Sequence, residues 1–391
     1  MSGSPVAALI ELGDERGAPG ADVPRRPRPH RGESALAVAA GCLLLLGPAA
    51  PVAALPSAVG PPVPVSGTVL VAGDSVLVVD PPQLAAYDAA APDRAPRWRA
   101  RVSVAAGWSA ESTAGLLLIV ERGQVGQATA TTARDAATGQ QRWRRPDRVY
   151  AAGDQAIAVT EVRSAIEPGR RVEGAVRGVD PATGRTRWTV PVPSTAVVTV
   201  LPETPARVLL VHDSGLARVH DARGGAALGE GRLPPADYAP DNPQVVGGRL
   251  VLRHPTAAGP VLTGFDLPAF TARWQRPLPG GELTVRRCAG LLCLHLGPTR
   301  WALRPDTGAP AWTWPDGGAW RAVPGRRPAE PLVLLRPAAD RERLLVGVVG
   351  PDGPRVRGVL PPGTRECRAA VTRLVCRVDG RVTVWRLDGR G

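Results

Sequence analysis

From residue 63 onward the apolar residues fall in short runs bounded by glycine, proline or aspartate. Residues 149–190 divide into Val149–Ala152, Ala156–Val162, Gly174–Asp180 and Thr186–Val190. Residues 243–278 divide into Pro243–Val246, Arg249–Arg253, Pro260–Asp266 and Ala272–Leu278. Runs rich in valine, leucine and alanine between turn residues predict short strands, here in groups of four. The last two strands of a group are joined by a signature, clearest in Val179-Asp180-Pro181-Ala182-Thr183-Gly184-Arg185-Thr186-Arg187-Trp188. Asp180 can accept backbone N–H groups of the turn after it, and Gly184 supplies the positive φ such a turn needs. Trp188 then gives a short outer strand one large apolar side chain to bury.

The signature recurs. Asp88 precedes Trp98, Asp135 and Gly139 precede Trp143, and Asp266 precedes Trp274. Arg304 takes the aspartate place before Gly308 and Trp312, while Asp221 is followed by Gly224 but no tryptophan. Successive tryptophan steps of 45, 45 and 86 residues give a period of about 40–45, the length of a four-stranded propeller blade. Two later groups keep the strands without the signature: Pro331–Arg336, Arg343–Val349 and Arg355–Leu360, then Glu366–Val371, Arg373–Val378 and Val382–Leu387. Turn positions at 88, 135, 180, 221, 266, 304, 352 and 388 predict an all-β propeller of eight blades, or seven if one degenerate region is an insertion. The last group lacks a fourth strand. Val63–Ser66 is the candidate to supply it, closing the ring and removing free sheet edges.

Repeats of this form resemble those of the quinoprotein alcohol dehydrogenases and the related non-catalytic propellers often called PQQ-binding-like. The membrane-anchored versions from high-GC actinobacteria are the most similar in layout. The resemblance covers about residues 63–391 and is best at Asp135–Trp143 and Asp180–Trp188, although Arg134 departs from the apolar residue expected before the aspartate. It implies a propeller in which Asp135, Gly139, Trp143, Asp180, Gly184, Trp188, Asp266, Trp274, Gly308 and Trp312 serve structure rather than chemistry.

The N-terminal region reads differently. Residues 1–34 form a polar tail expected to be disordered, with 7–12 as its apolar patch. Arg25, Arg26, Arg28 and Arg31 stand before an uncharged run at 35–55, the pattern of a membrane-inserted helix with its N-terminus held inside. The expected organisation is a cytoplasmic tail (1–34), a transmembrane signal anchor (35–55), a linker (56–62) and an extracytoplasmic propeller (63–391). Pro48 and Pro51 shorten the apolar core, and Val52-Ala53-Ala54 offers a small-residue cleavage site, so a cleaved signal peptide and secretion is the alternative. Cysteine usage agrees with export. Cys288/Cys293 and Cys367/Cys376 each span two adjacent predicted strands, and even pairing in an exported chain predicts two hairpin disulfides. A zinc site is not expected, because even the nearest histidine, His295, lacks ligand spacing to them.

Charge narrows the partners. All 48 basic residues are arginine and the net charge is +13. Residues 1–34 balance five arginines against five acids, so the excess lies beyond them. GC-rich codons account for the arginine bias more simply than a functional arginine surface does. The charge nonetheless favours anionic surfaces such as lipid headgroups or acidic wall polymers. Nucleic acid is not expected, since no stretch interleaves basic clusters with stacking aromatics.

Candidate chemistry is sparse. The quinoprotein dehydrogenases resembled here hold their cofactor between a vicinal disulfide and a stacking tryptophan, beside a calcium bound by carboxylate and asparagine oxygens. In this chain no two cysteines are adjacent and the one asparagine is Asn242. His212-Asp213 and His220-Asp221 flank a hairpin whose turn, Ser214-Gly215, should set position 212 opposite 217, so the histidines are not cross-strand partners. Nucleophile elbows, phosphate loops, zinc-binding helices and calcium loops are absent from the sequence. The expectation is a monomeric, non-enzymatic scaffold without catalytic residue, cofactor or metal, acting on a protein partner or an anionic cell-envelope polymer. A ligand-sensing propeller coupled to residues 9–12 is the alternative, and a PQQ-dependent oxidoreductase stands third.

Overall fold

Burial along single strands dictates the architecture. In Ser75–Asp80, Val76 and Val78 point to one face and Leu77 and Val79 to the other, and all four are buried. A sheet buried on both faces needs another sheet on each side, which a ring of stacked blades provides. The computed structural model describes residues 57–387, apart from 65, 125–127, 162–170, 204, 240–241, 282, 298, 315–319, 324–331, 351 and 371. The stretches read as a tail (1–34) and an anchor (35–55), and the turn at Asp388, lie outside the described residues.

The strands form eight antiparallel four-stranded blades. The first spans 68–101, the second 107–145, the fifth 244–277, the sixth 283–314 and the seventh 321–360. The third begins at Arg148 and the fourth ends at Arg232, and they share the 16-residue strand Thr186–Leu201. Its first half pairs back onto Arg171–Val179 and its second half onto Arg207–His212. The sequence predicts a stop at Val190, but the valine- and threonine-rich run beyond it has no turn residue with positive φ to break it. The seventh blade opens on the short strand Arg321–Ala322, which no apolar run announced.

The eighth blade closes the ring. It consists of Arg365–Ala370, Arg373–Val378 and Arg381–Arg386, completed by Ser57–Pro62 from the other end of the chain. Closure by the N-terminal region is as expected, but the strand is Ser57–Pro62 rather than Val63–Ser66, so 57–62 is not a linker. Its register, with Ala58 opposite Val384 and Val59 opposite Thr383, is set by pairing rather than by its own weak apolar pattern. The Val63 N–H continues the ladder to the Gly380 carbonyl at 3.2 Å.

Among the described residues, buried side chains gather into eight clusters, one at each seam between neighbouring blades. The last joins Val375, Val382 and Val384 of the eighth blade to Val71, Val76 and Val78 of the first. The buried Arg377 side chain also spans that seam, donating to the Gly67 carbonyl.

The signature residues latch one blade to the next. Asp135 accepts the N–H groups of Ala137 and Thr138 at 3.1 and 2.9 Å, and Asp180 those of Ala182 and Thr183 at 2.8 and 3.0 Å. Gly139, Gly184 and Gly308 have φ of 73°, 72° and 67°, the left-handed region that glycine enters without strain. In the first, second, third and fifth blades the closing tryptophan reaches the turn of the following blade. Trp98 Nε1 donates to Ala136 at 3.0 Å, Trp143 to Pro181 at 2.7 Å, Trp188 to Ala222 at 3.2 Å and Trp274 to Pro305 at 2.9 Å. Each indole lies on the turn glycine, so that a Cβ at Gly184 would stand 2.6 Å from Trp143 Cγ. Trp98 and Trp143 are buried, whereas Trp188, Trp274 and Trp312 keep part of the indole in solvent. In the fourth blade the positive φ falls at Gly225, not Gly224, because it is the Gly225 N–H that closes back on the Asp221 carbonyl.

The seam between the fourth and fifth blades reverses the sizes. Gly229 occupies the tryptophan register, opposite Val219, and Phe270 occupies the turn-glycine place with φ 55°. A Cβ on Gly231 would stand 2.5 Å from Phe270 Cβ. The large side chain has moved from the outer strand to the following turn.

The signature aspartates also carry ion pairs. Asp135 pairs with Arg142 at 2.8 Å, Asp180 with Arg187 at 2.6 Å, Asp88 with Arg97 at 2.5 Å, and Asp266 with Arg273. The Arg142 guanidinium, with the Thr138 N–H and hydroxyl, holds the Asp135 carboxyl at about 2, below its ordinary 3.8. A carboxyl with a depressed folded-state pKa stabilises the fold above its unfolded value and loses that contribution as pH falls through the folded one. The Asp135 contribution is therefore complete above about pH 4 and lost between about 4 and 2. Asp135→Asn should lower the thermal midpoint at pH 6 and flatten its decline between pH 4 and 2. Identical curves for the two proteins would remove the latch role of Asp135.

Candidate binding site between the sixth and seventh blades

Register decides which side chains face which seam. In the first five blades, the third-strand residue two places before the tryptophan-register partner is Leu84, Thr131, Val176, Ala217 and Leu262. Each is at most 1% exposed and helps fill the seam ahead. In the sixth blade the same place holds Arg300, opposite Trp314. The residue across from it on the second strand is Val79, Val120, Val159 or Val211 in the first four blades and Arg253 in the fifth. In the sixth it is His295, which is exposed. Two positions that are buried and uncharged in the first four blades are thus cationic or polar here.

The result is a pocket of about 260 Å3. Trp312 and Trp320 form its aromatic walls, Arg286, Arg300 and Arg321 bring positive charge, and Trp301, whose indole packs in the preceding seam, borders it from the strand. Among the described residues lining it none is acidic. Arg300 Nη2 donates to the Trp320 carbonyl at 2.7 Å, tying the sixth blade to the segment that enters the seventh. Burial, and then the neighbouring Arg286 charge, lower the Arg300 pKa. Trp320 is buried, with the Arg336 guanidinium 4.8 Å from its ring centre.

The predicted cysteine pairs are both brought to disulfide distance, with Cα atoms 5.8 Å apart for Cys288–Cys293 and 4.0 Å for Cys367–Cys376. The first staples the opening hairpin of the sixth blade, and Cys293 lies on the pocket wall. The second spans a bulge at positive-φ Glu366. His212 and His220 are both buried but do not face each other. His220 opposes Val208, and the residue opposite Ala217 is Val211, one place earlier than the turn residues suggested. Asn242 donates its amide to the Asp237 and Arg253 carbonyls and accepts the Arg253 N–H at 3.0 Å.

Sequence reasoning missed the pocket and the arginines of the latch. The latch left a visible trace, because an arginine directly precedes Trp98, Trp143, Trp188 and Trp274. In the sixth blade Ala311 precedes Trp312, and there the aspartate is Arg304, so both members of the pair are lost together. The odd Arg134 also has a purpose. Its guanidinium donates to the Gly139 carbonyl of its own turn and the Arg101 carbonyl of the preceding blade, both at 2.9 Å.

Among solved structures the chain is similar to BamB from Moraxella catarrhalis, at 17% identity and a TM-score of 0.53, over 87% of this chain and 99% of that one. It is also similar to the computationally designed Ika8 protein, at 11% identity and a TM-score of 0.52, over 86% of this chain and 99% of that one. At these identities the likeness shows the propeller fold. No protein-family model matches the chain, and no curated protein matches it.

Proposed function

We propose that the chain is a non-enzymatic propeller scaffold, held at the outer face of a membrane through residues 35–55, that engages a protein partner or an anionic envelope polymer. The placement of its charge carries this reading. The outermost strand of a blade has one unpaired edge, and charged side chains there discourage sheet-to-sheet aggregation. Arg99, Arg101 and Arg357 stand exposed on such strands beside the ion-paired Arg142, Arg144, Arg273 and Arg355, which gives the ring a basic rim suited to anionic surfaces. The residues that a quinone–calcium centre would draw on are engaged elsewhere. Asn242 is committed to backbone at 237 and 253, and the four described cysteines pair within hairpins, so these residues do not fit a quinone–calcium centre. A ligand-sensing propeller coupled to the tail is the second reading, favoured by the pocket at the sixth seam.

Crosslinking in intact cells, followed by mass spectrometry, tests the scaffold. The expected result is a defined protein or polymer adduct that is lost when Arg99, Arg101, Arg355 and Arg357 are replaced by glutamine. Equal adducts from both chains, or none from either, would sink the reading. Protease added to spheroplasts should digest the propeller without lysis, which tests its location separately.

A further inference from the structure

We propose that the pocket between the sixth and seventh blades binds a small planar organic carboxylate. This goes beyond the scaffold reading and stands whether or not a macromolecular partner exists. Three observations converge. The seam departs from those of the first five blades at the filling position now held by Arg300, with His295 across from it where the first four blades have valine, and space is left there rather than repacked. The walls of that space are tryptophan indoles, which cover flat apolar surface and leave in-plane polar atoms for other partners. The charged groups among the described lining residues are arginines, and a guanidinium fork matches a carboxylate in two parallel hydrogen bonds.

Each feature narrows the ligand. The volume, about 260 Å3, lies near the lower end of small-ligand sites, at roughly 300 Å3, and suits a body of one or two fused rings. Arg300 is held by the Trp320 carbonyl, so its position is fixed before a ligand arrives. The exposed Arg286 and Arg321 stand at the solvent side, where they can close on the carboxylate as it enters. Burial first, and the Arg286 charge second, disfavour the charged form of Arg300, and an anion between the two guanidiniums relieves their mutual repulsion. The Cys288–Cys293 bridge fixes the hairpin that carries Arg286, so reduction should loosen the site without opening the ring.

The probe pair is naphthalene-2-carboxylate and its neutral analogue, naphthalene-2-carboxamide, titrated against the full chain by calorimetry with tryptophan fluorescence in parallel. The carboxylate should bind saturably at one site and the carboxamide at least about tenfold more weakly, the loss expected for one charge-assisted hydrogen bond. Arg286→Gln, on the exposed wall, should weaken the carboxylate by a similar factor while leaving the thermal midpoint unchanged. Arg300→Gln should abolish binding, and Arg300→Lys should keep the charge but lose the fork, giving intermediate affinity. Equal affinity for the two probes would overturn the proposal, as would carboxylate binding indifferent to both Arg286→Gln and Arg321→Gln. The absence of saturable binding by a chain with normal thermal unfolding would overturn it as well.

Discussion

A chain shortened to begin at residue 64 should unfold about 10 °C earlier than one that keeps residues 57–63. Ser57–Pro62 is the fourth strand of the eighth blade, and without it Arg381–Arg386 becomes an open edge. Each lost ladder bond costs about 0.5–1.5 kcal/mol. Val382 and Val384, fully covered in the ring, lose part of their shelter at the same time. A total of about 5 kcal/mol, at roughly 2 °C per kcal/mol for a chain of this size, gives the expected shift. A peptide with the sequence of residues 57–63 should bind the vacated edge and restore much of the midpoint, because strand addition needs little beyond backbone pairing and a few side-chain contacts. An unchanged midpoint in the shortened chain would mean that the ring is held shut elsewhere.

Trp143→Ala should cost about 3–5 kcal/mol, measured by chemical denaturation. Trp143 is 7% exposed, donates to the Pro181 carbonyl and covers Gly184, so its removal leaves a cavity and an unsatisfied carbonyl in one seam. Trp188 makes the equivalent contacts, with the Ala222 carbonyl and Gly225, but keeps part of its ring in water, and Trp188→Ala should cost only about 2 kcal/mol. Gly184→Ala provides the cross-check. Alone it forces a methyl against the indole, whereas in the Trp143→Ala background that collision is gone and about 1 kcal/mol of positive-φ strain remains. Additive costs for the pair would mean that the two residues do not share the contact described.

The blade count was readable because it is a property of spacing, and each Asp–turn–Trp unit satisfies its own backbone within ten residues. The disulfides were readable for the same reason, as each closes a single hairpin. Partnerships between blades were not. The closing strand reads from the sequence as Val63–Ser66, one step too late, since Ser57–Pro62 and Val63–Ser66 both mix small apolar residues with proline and are told apart by what they meet across the sheet. Arg134 looked anomalous until the preceding blade was in place to accept its second hydrogen bond. Arg300 looked ordinary, one arginine among 48. It became informative only when strand register set it beside Leu84, Thr131, Val176, Ala217 and Leu262, a comparison that linear spacing does not offer.

The exchange of bulk between Gly229 and Phe270 fixes the order of the blades. A fifth blade stacked behind a tryptophan-bearing neighbour would drive Phe270 into an indole, with an overpacking cost of about 1–3 kcal/mol. A glycine-turned blade stacked behind the fourth would leave a void worth about 3–5 kcal/mol. Repeats of similar sequence are prone to docking out of turn while the chain collapses. Here side-chain volume serves as an address, so the joint between the fourth and fifth blades is marked off from the tryptophan-latched joints on either side of it.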